Sequence, residues 1–420
     1  MALNYVWLSF FLISFVVALV KLFLPETMGG DMEIFTKMLT GMFESAKSGF
    51  DISIGLTAMM TLWLGIMKIG EKAGMIDIFA KGVKPFFKTL FPGVPDSHPA
   101  TGSVMMNFSA NMLGLDNAAT PLGLKAMKEL QELNPVKDTA TNAQIMFLVL
   151  NTAGITIIPT SVIAIRQSMA IEQHLVGFNA ADIFLPTLIA TFISFVSGMI
   201  AVAIYQRINL FKLPVLIFLG GFGGIMMGMY LWLKQFSPEK MTVYIGLIGS
   251  LMIFSIIISF LILGWVKKIN VYEAFIEGGK EGFGVAITII PYLIAILVAI
   301  SAFRTTGCMD YVVSGIGTVV GAMGMNTDFV PALPIGLMKT LSGGGARGLM
   351  IDVMRNYGVD SFQGKLASII QGSTETTFYV LAVYFGSVGI KKTRHALACG
   401  LIADLVGLIA SIVIAYLFFK

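Results

Sequence analysis

The chain has 420 residues, of which 56% are hydrophobic and only 12% charged, where a soluble domain carries about 25% charged residues. That balance excludes an ordinary water-soluble protein and points to an all-α polytopic membrane protein. The net charge of +4 does not imply nucleic acid, because Lys and Arg collect where apolar stretches end.

A spanning helix needs about 20 mostly apolar residues. Stretches 5–24, 52–70, 144–165, 182–205, 209–233, 241–266, 284–303, 366–388 and 396–419 qualify, predicting about nine spans. The first has no basic segment before it and no small-residue cleavage site after it, so it reads as a retained helix, not a targeting peptide. Segments 31–48, 75–91 and 270–283 mix apolar and charged residues and read as interfacial amphipathic helices.

Between the second and third spans runs HPATGSVMMNFSANMLGLDNAATPLGLKAMKEL, residues 98–130. It is too polar and broken for a lipid-facing helix and too apolar for an exposed loop. Thr120 followed by Pro121 reads as an N-cap with proline at the first helical position. Farther on, KTLSGGGARGLMIDVM offers Ser342 as the cap of a similar helix. Backbone groups freed at such breaks must be buried in protein or line a wet cavity. Two broken or re-entrant segments are therefore expected to face each other.

The sequence also repeats itself. Glu44-x-x-Lys47-x-Gly49-Phe50 recurs as Glu277-x-x-Lys280-x-Gly282-Phe283, and GMID from Gly74 recurs as GCMD from Gly307, both at an offset of 233. DSHPA at Asp96 returns as DFVPA at Asp328, and NTAGIT from Asn151 lies opposite QGSTET from Gln371. The order is kept throughout, which predicts two inverted repeats joined by the fifth span. Lys and Arg favour the loops after the fourth, sixth and eighth spans (Arg207, Lys212, Lys267, Lys268, Lys280, Lys391, Lys392, Arg394) over those after the third and fifth (Arg166, Lys234, Lys240). By the positive-inside rule the N-terminus is then cytoplasmic.

Glu375 falls halfway along the predicted eighth span. A carboxylate there costs roughly 2.5–3.5 kcal/mol on insertion scales, so such residues face the bundle interior. Ser373, Thr374, Thr376 and Thr377 could satisfy its oxygens, and Gln371 lies one turn away. The matching positions in the third span are Asn151, Thr152 and Thr156, polar but uncharged. These patches read either as interhelical hydrogen-bond clusters or as a site for a substrate or coupling ion. Asp404 is a weaker candidate of the same type, with Asp182 as its counterpart. Arg347 is expected to neutralise an acidic ligand or to pair with Asp352 or Glu375. No metal site is expected, since His98, His174 and His395 are far apart, and Cys308 and Cys399 are too few for a disulfide framework. No histidine lies inside a span to activate Ser109, Ser342 or Ser373, so an enzyme is not expected. No cofactor is expected either.

NMLGLDNAATPLGLKAMKELQ resembles the hallmark of the spore maturation protein A family, and LSGGGARG with QGSTETTFYVLAVYFGSVGIKKTRHAL resembles that of the B family. On this resemblance residues 1–206 form an A-like gate repeat, 207–242 a linking transmembrane segment and 243–420 a B-like gate repeat. Both families carry a nucleoside-recognition, or gate, domain, and are more distantly similar to parts of concentrative nucleoside transporters and bacterial ferrous-iron transporters. The motif positions are Asn111, Asp116, Asn117, Thr120, Ser342, Arg347, Gln371, Ser373, Thr374, Glu375 and Thr376. The expectation is a multi-pass protein of the bacterial inner membrane, a homo-oligomer, moving a small polar solute or ion by alternating access. A non-transporting scaffold or maturation factor of the envelope or spore is the alternative.

Overall fold

The computed structural model of the chain describes residues 2–95 and 97–420, apart from the side chains at 2, 3, 26, 116–118, 238 and 239. Asp96, and the side chains of Asp116 and Asn117, therefore lie outside the described residues. The chain is helical throughout; among the described residues β-pairing is limited to one isolated bridge, Thr139 to Lys392.

Eight helices come first: α1 (Ala2–Phe23), α2 (Ile34–Lys72), α3 (Met75–Leu90), α4 (Pro99–Met112), α5 (Asp116–Glu132), α6 (Asn142–Thr152), α7 (Thr160–Glu172) and α8 (Phe184–Gln206). After α9 (Leu213–Leu233) the order runs again: α10 (Pro238–Val266), α11 (Val271–Thr305), α12 (Cys308–Ala322), α13 (Leu333–Leu341), α14 (Gly343–Tyr357), α15 (Phe362–Ser373), α16 (Thr377–Val380) and α17 (Ala396–Phe419). A π turn, Leu381–Phe385, extends α16. Equivalent glycines in the left-handed region, Gly74 at φ 81° and Gly307 at φ 79°, separate α2 from α3 and α11 from α12. A capping box at Thr141 and Gln144 starts α6, and Ser361 caps α15 by accepting from the Gly364 N–H.

Equivalent helices cross antiparallel. Gly49 of α2 lies against Ile294 of α11, and Thr61 of α2 lies against Gly282. These two contacts are related by the offset of 233, as a pseudo-twofold axis through the crossing requires. A symmetric crossing, with its own offset of 209, joins α8 and α17, where Ser194 meets Gly407 and Gly198 meets Ala403. Glycine lets the backbones approach this closely: a Cβ on Gly282 would lie 2.5 Å from the Met60 carbonyl.

Seven helices among the described residues are long and apolar enough to cross a membrane: α1, α2, α8, α9, α10, α11 and α17. The predicted third and eighth spans are not continuous helices. The third breaks between α6 and α7, the eighth between α15 and α16. Two of the three predicted interfacial helices also differ, since 31–48 and 270–283 run on into α2 and α11. The 39 residues of α2 extend about 58 Å at 1.5 Å per residue, well beyond a hydrocarbon core of about 30 Å. Its early apolar face is covered by protein, with Ile34 and Met38 packed against Ala18 and Ala302.

Arg166 is not a loop residue. It sits in α7, fully buried, with Nη2 2.7 Å from Asp182 Oδ1. Its remaining donors reach the Ala180 and Val359 carbonyls and the Ser368 hydroxyl. Lys365 bridges Asp182 at 3.2 Å and Asp360 at 2.9 Å. This network fastens the first eight helices to the last eight. Such a buried guanidinium is held by charge pairing and by hydrogen bonds from each of its three nitrogens.

Candidate functional site

Four helix breaks meet in the interior. At the first, α4 gives way to α5 through Gly114, at φ 71°. Its Met112 carbonyl accepts from the Ile157 N–H at 2.8 Å, across to the second break between α6 and α7. There Thr152, the last residue of α6, accepts through its carbonyl from the Glu375 N–H at 2.7 Å, in the break between α15 and α16. Gln371, near the end of α15, donates from Nε2 to the Gly343 carbonyl at 3.4 Å, beside the fourth break, between α13 and α14. Each break thus satisfies backbone groups that another leaves open, which is how irregular backbone persists inside a membrane protein.

The breaks enclose a cavity of about 360 Å³, within the size range of small-molecule sites. Of the residues expected from sequence, Asn111, Thr120, Asn151, Thr156, Arg347, Gln371 and Glu375 line it. Thr152, Ser342, Ser373, Thr374 and Thr376 are not among its lining residues. Ser342 caps α14 as expected, accepting from the Gly345 N–H at 3.1 Å. Thr120 caps nothing: α5 already begins at Asp116, and Pro121 lies inside it. The carbonyl of Ala119 accepts from Asn107 Nδ2 at 2.8 Å, which supports the helix at this irregular point.

Asparagines organise one side. Asn111 Nδ2 donates to Asn151 Oδ1 at 2.9 Å, and Asn151 Nδ2 returns to the Phe147 carbonyl at 2.8 Å. The Tyr384 hydroxyl also reaches Asn151 Oδ1, at 3.4 Å. Each amide is therefore oriented before a ligand arrives. On the other side Glu375 is exposed to the cavity, not buried among hydroxyls. Two of the hydroxyls expected to satisfy it are used elsewhere: Ser373 donates to the Ile370 carbonyl and Thr377 to Asp404. Arg347 lines the cavity, while Asp352, one expected partner, is held by Arg304 with Nε to Oδ1 at 3.1 Å.

Lys339, Tyr379 and Tyr384 also line the cavity, with Thr160 and Ser161 from the start of α7. None was singled out from sequence. Lys339 had a legible signal, a lysine within the short apolar helix α13. The tyrosines had none, because an aromatic in a predicted span reads as packing. A smaller extension of about 80 Å³ shares Gly114, Thr160, Ser161 and Arg347 and continues between Leu56, Trp63 and Ile289 of α2 and α11. One site thus offers amide, hydroxyl, carboxylate and cationic groups beside an apolar recess. Among the described residues no group of three or more His, Cys, Asp or Glu is placed to hold a metal ion.

The chain is 49% identical over 164 residues to spore maturation protein B of Bacillus subtilis (strain 168), which covers 39% of this chain and 90% of that protein. It is 43% identical over 158 residues to spore maturation protein A of the same organism, covering 38% of this chain and 78% of that one. No solved structure matches the chain. A family model described as Gate, nucleoside recognition, matches residues 53–169 and 286–391, together more than half of the sequence. The two matched segments begin 233 residues apart, the offset that relates α2 to α11, and between them they contain all four breaks. The chain belongs to the nucleoside-recognition Gate family.

Proposed function

We propose that this multi-pass membrane protein is a transporter of the bacterial inner membrane that moves a small polar solute of nucleoside-like size. The observation that carries the reading is the cavity at the four breaks, walled by both halves of the chain. Rocking of one half against the other would expose such a cavity to each side in turn, as in alternating access. In this reading the N-terminus is cytoplasmic, residues 1–206 and 243–420 act as the two gate repeats, and the protein assembles as a homo-oligomer without enzymatic activity. Asn111, Asn151, Thr120, Thr156 and Gln371 orient the solute, and Arg347 supplies positive charge. Glu375 accepts hydrogen bonds from the solute or carries a proton or cation with it.

Thermal unfolding of the purified protein against a panel of nucleosides, amino acids, dipeptides, organic acids and cations tests this, with Glu375→Gln in parallel. A true ligand at 100 times its Kd stabilises by about 2.7 kcal/mol. The expected result is a solute that raises the melting temperature of the wild type and not of the variant. The names of the two Bacillus relatives favour a second reading, a non-transporting maturation factor of the envelope or spore. Absence of any stabilising solute, with unchanged behaviour of Glu375→Gln, would favour that reading.

A further inference from the structure

Behind the cavity wall, α17 presents Gly400, Asp404 and Gly407 on one buried face. The two glycines let hydroxyl-bearing residues come close. A Cβ on Gly400 would meet Thr377 Oγ1 at 3.3 Å and the Thr152 methyl at 3.7 Å; one on Gly407 would meet Thr374 at 2.8 Å and Ser194 at 3.2 Å. Asp404 sits between them, 6% exposed, and accepts from the Thr377 hydroxyl at 2.6 Å through Oδ2.

Its other oxygen, Oδ1, has no hydrogen bond of normal geometry, although the Thr374 hydroxyl also acts on this carboxylate; the fully buried Thr152 hydroxyl has no partner either. Among the described residues the Thr187 and Tyr416 hydroxyls are the other two buried hydroxyls of this kind. Ser53, Ser109, Ser368 and Ser411 all donate to the carbonyl four residues earlier in their own helices. Thr152 lies at the end of its helix with its methyl against Gly400, one turn along α17 from Asp404, and its hydroxyl makes no such bond. Protonation of Asp404 at Oδ1 would leave the proton without an acceptor, and ionisation leaves the oxygen without a donor at normal geometry. Lys339 and Glu375 are the charged side chains acting on it, and they are of opposite sign. A carboxylate and hydroxyls, oxygen donors with a single formal negative charge, suit a hard monovalent cation.

We infer that Asp404, Thr377 and Thr152 hold an alkali-metal cation immediately behind the cavity, at the joint between the α6 and α15 breaks. Asp404 Oδ1 supplies the charge. Thr377 Oγ1 donates its proton to Oδ2 and keeps its lone pairs for the ion, and Thr152 Oγ1 adds a third oxygen. Occupancy would fix Thr152 relative to Thr377, and with them the Thr152 to Glu375 backbone bond that closes the cavity wall. The site does not depend on the identity of any transported solute.

The test is cation binding with no organic solute present. Purified protein is titrated with NaCl or KCl at constant ionic strength set by choline chloride, and the melting temperature is recorded. Saturable stabilisation by one of the two over choline is expected in the wild type and absent in Asp404→Asn. The Asp404→Asn protein in choline should melt at or above the wild type, because an uncompensated buried charge has gone. Thr377→Val keeps the charge and removes one ligand, so the cation should bind about tenfold or more weakly. Ser411→Ala, on the same helix but bonded to Gly407, should titrate like the wild type. No cation dependence in the wild type, dependence on pH alone, or equal titration of all four proteins would overturn the inference. A protein that binds the cation yet is stabilised by no solute would leave the site standing and remove the transport reading instead.

Discussion

The Glu375 N–H and the Thr152 carbonyl are 2.7 Å apart, joining two broken helices from opposite halves of the chain. Side chain and backbone of Glu375 therefore have separable roles. Glu375→Gln keeps the bond and is expected to leave the melting temperature of the ligand-free protein nearly unchanged. Glu375→Pro removes the N–H, leaves a buried carbonyl open and is expected to cost about 1–3 kcal/mol. Thermal unfolding in one detergent separates the two; equal destabilisation would mean that the carboxylate holds the wall together.

Gly114 sits at φ 71°, and a Cβ there would lie 2.7 Å from the Ile158 carbonyl. Gly114→Ala combines left-handed strain with a backbone clash at the cavity wall and should destabilise by about 1–3 kcal/mol. Gly284→Ala, within α11 where nothing lies inside 4 Å, should be neutral or slightly stabilising through better helix propensity. Melting curves of both variants decide it, and a neutral Gly114→Ala would show that the break can relax.

At the α2 and α11 crossing, Gly278 and Gly282 pack directly on the Leu64 and Met60 carbonyls. Gly282→Val must push the two longest helices apart. A loss of about 1–3 kcal/mol is expected from overpacking, visible as lower yield of folded protein on size-exclusion chromatography and a lower melting temperature. Wild-type behaviour would argue that the crossing is looser than its geometry.

Asp182 is shared by Arg166 and Lys365. Asp182→Asn leaves a fully buried guanidinium without its carboxylate and is expected to cost about 3–5 kcal/mol. Arg166→Met leaves Asp182 with Lys365 still in place and should be milder. The comparison is made by unfolding at matched conditions; the reverse order would place the anchoring charge on Lys365.

Glu375, Arg347 and the asparagines were legible because polar groups stand out in apolar sequence, and burial in a membrane makes them costly enough to notice. The first and last breaks were legible through the glycine run after Ser342 and the polar 98–130 stretch. The two breaks inside predicted spans were not. GITIIP, at 154–159, is apolar and β-branched enough to pass as a continuing helix, with only Gly154 and Pro159 as warning. Thr120-Pro121 misled in the opposite direction: its local preference for a helix start is overridden by the burial of Ala119, whose carbonyl is held by Asn107. Arg166 counted as a loop charge because its partner, Asp182, is distant enough in sequence to look like a separate span end.

The helix α9 has no counterpart in either set of eight, and only Val215, Met226 and Leu233 along it are buried. Its presence bears on the direction in which the later helices would insert. With α8, α9 and α10 each long and apolar enough to cross a membrane and joined by the short connections 207–212 and 234–237, three successive crossings would bring α10 in with the same sense as α8. Without that extra crossing α10 would follow α8 in the opposite sense, and every later helix would be delivered the other way up. Two separate polypeptides can each insert according to their own flanking charges. In a single chain a reversing segment would do this work, and an apolar helix with few buried residues would suffice.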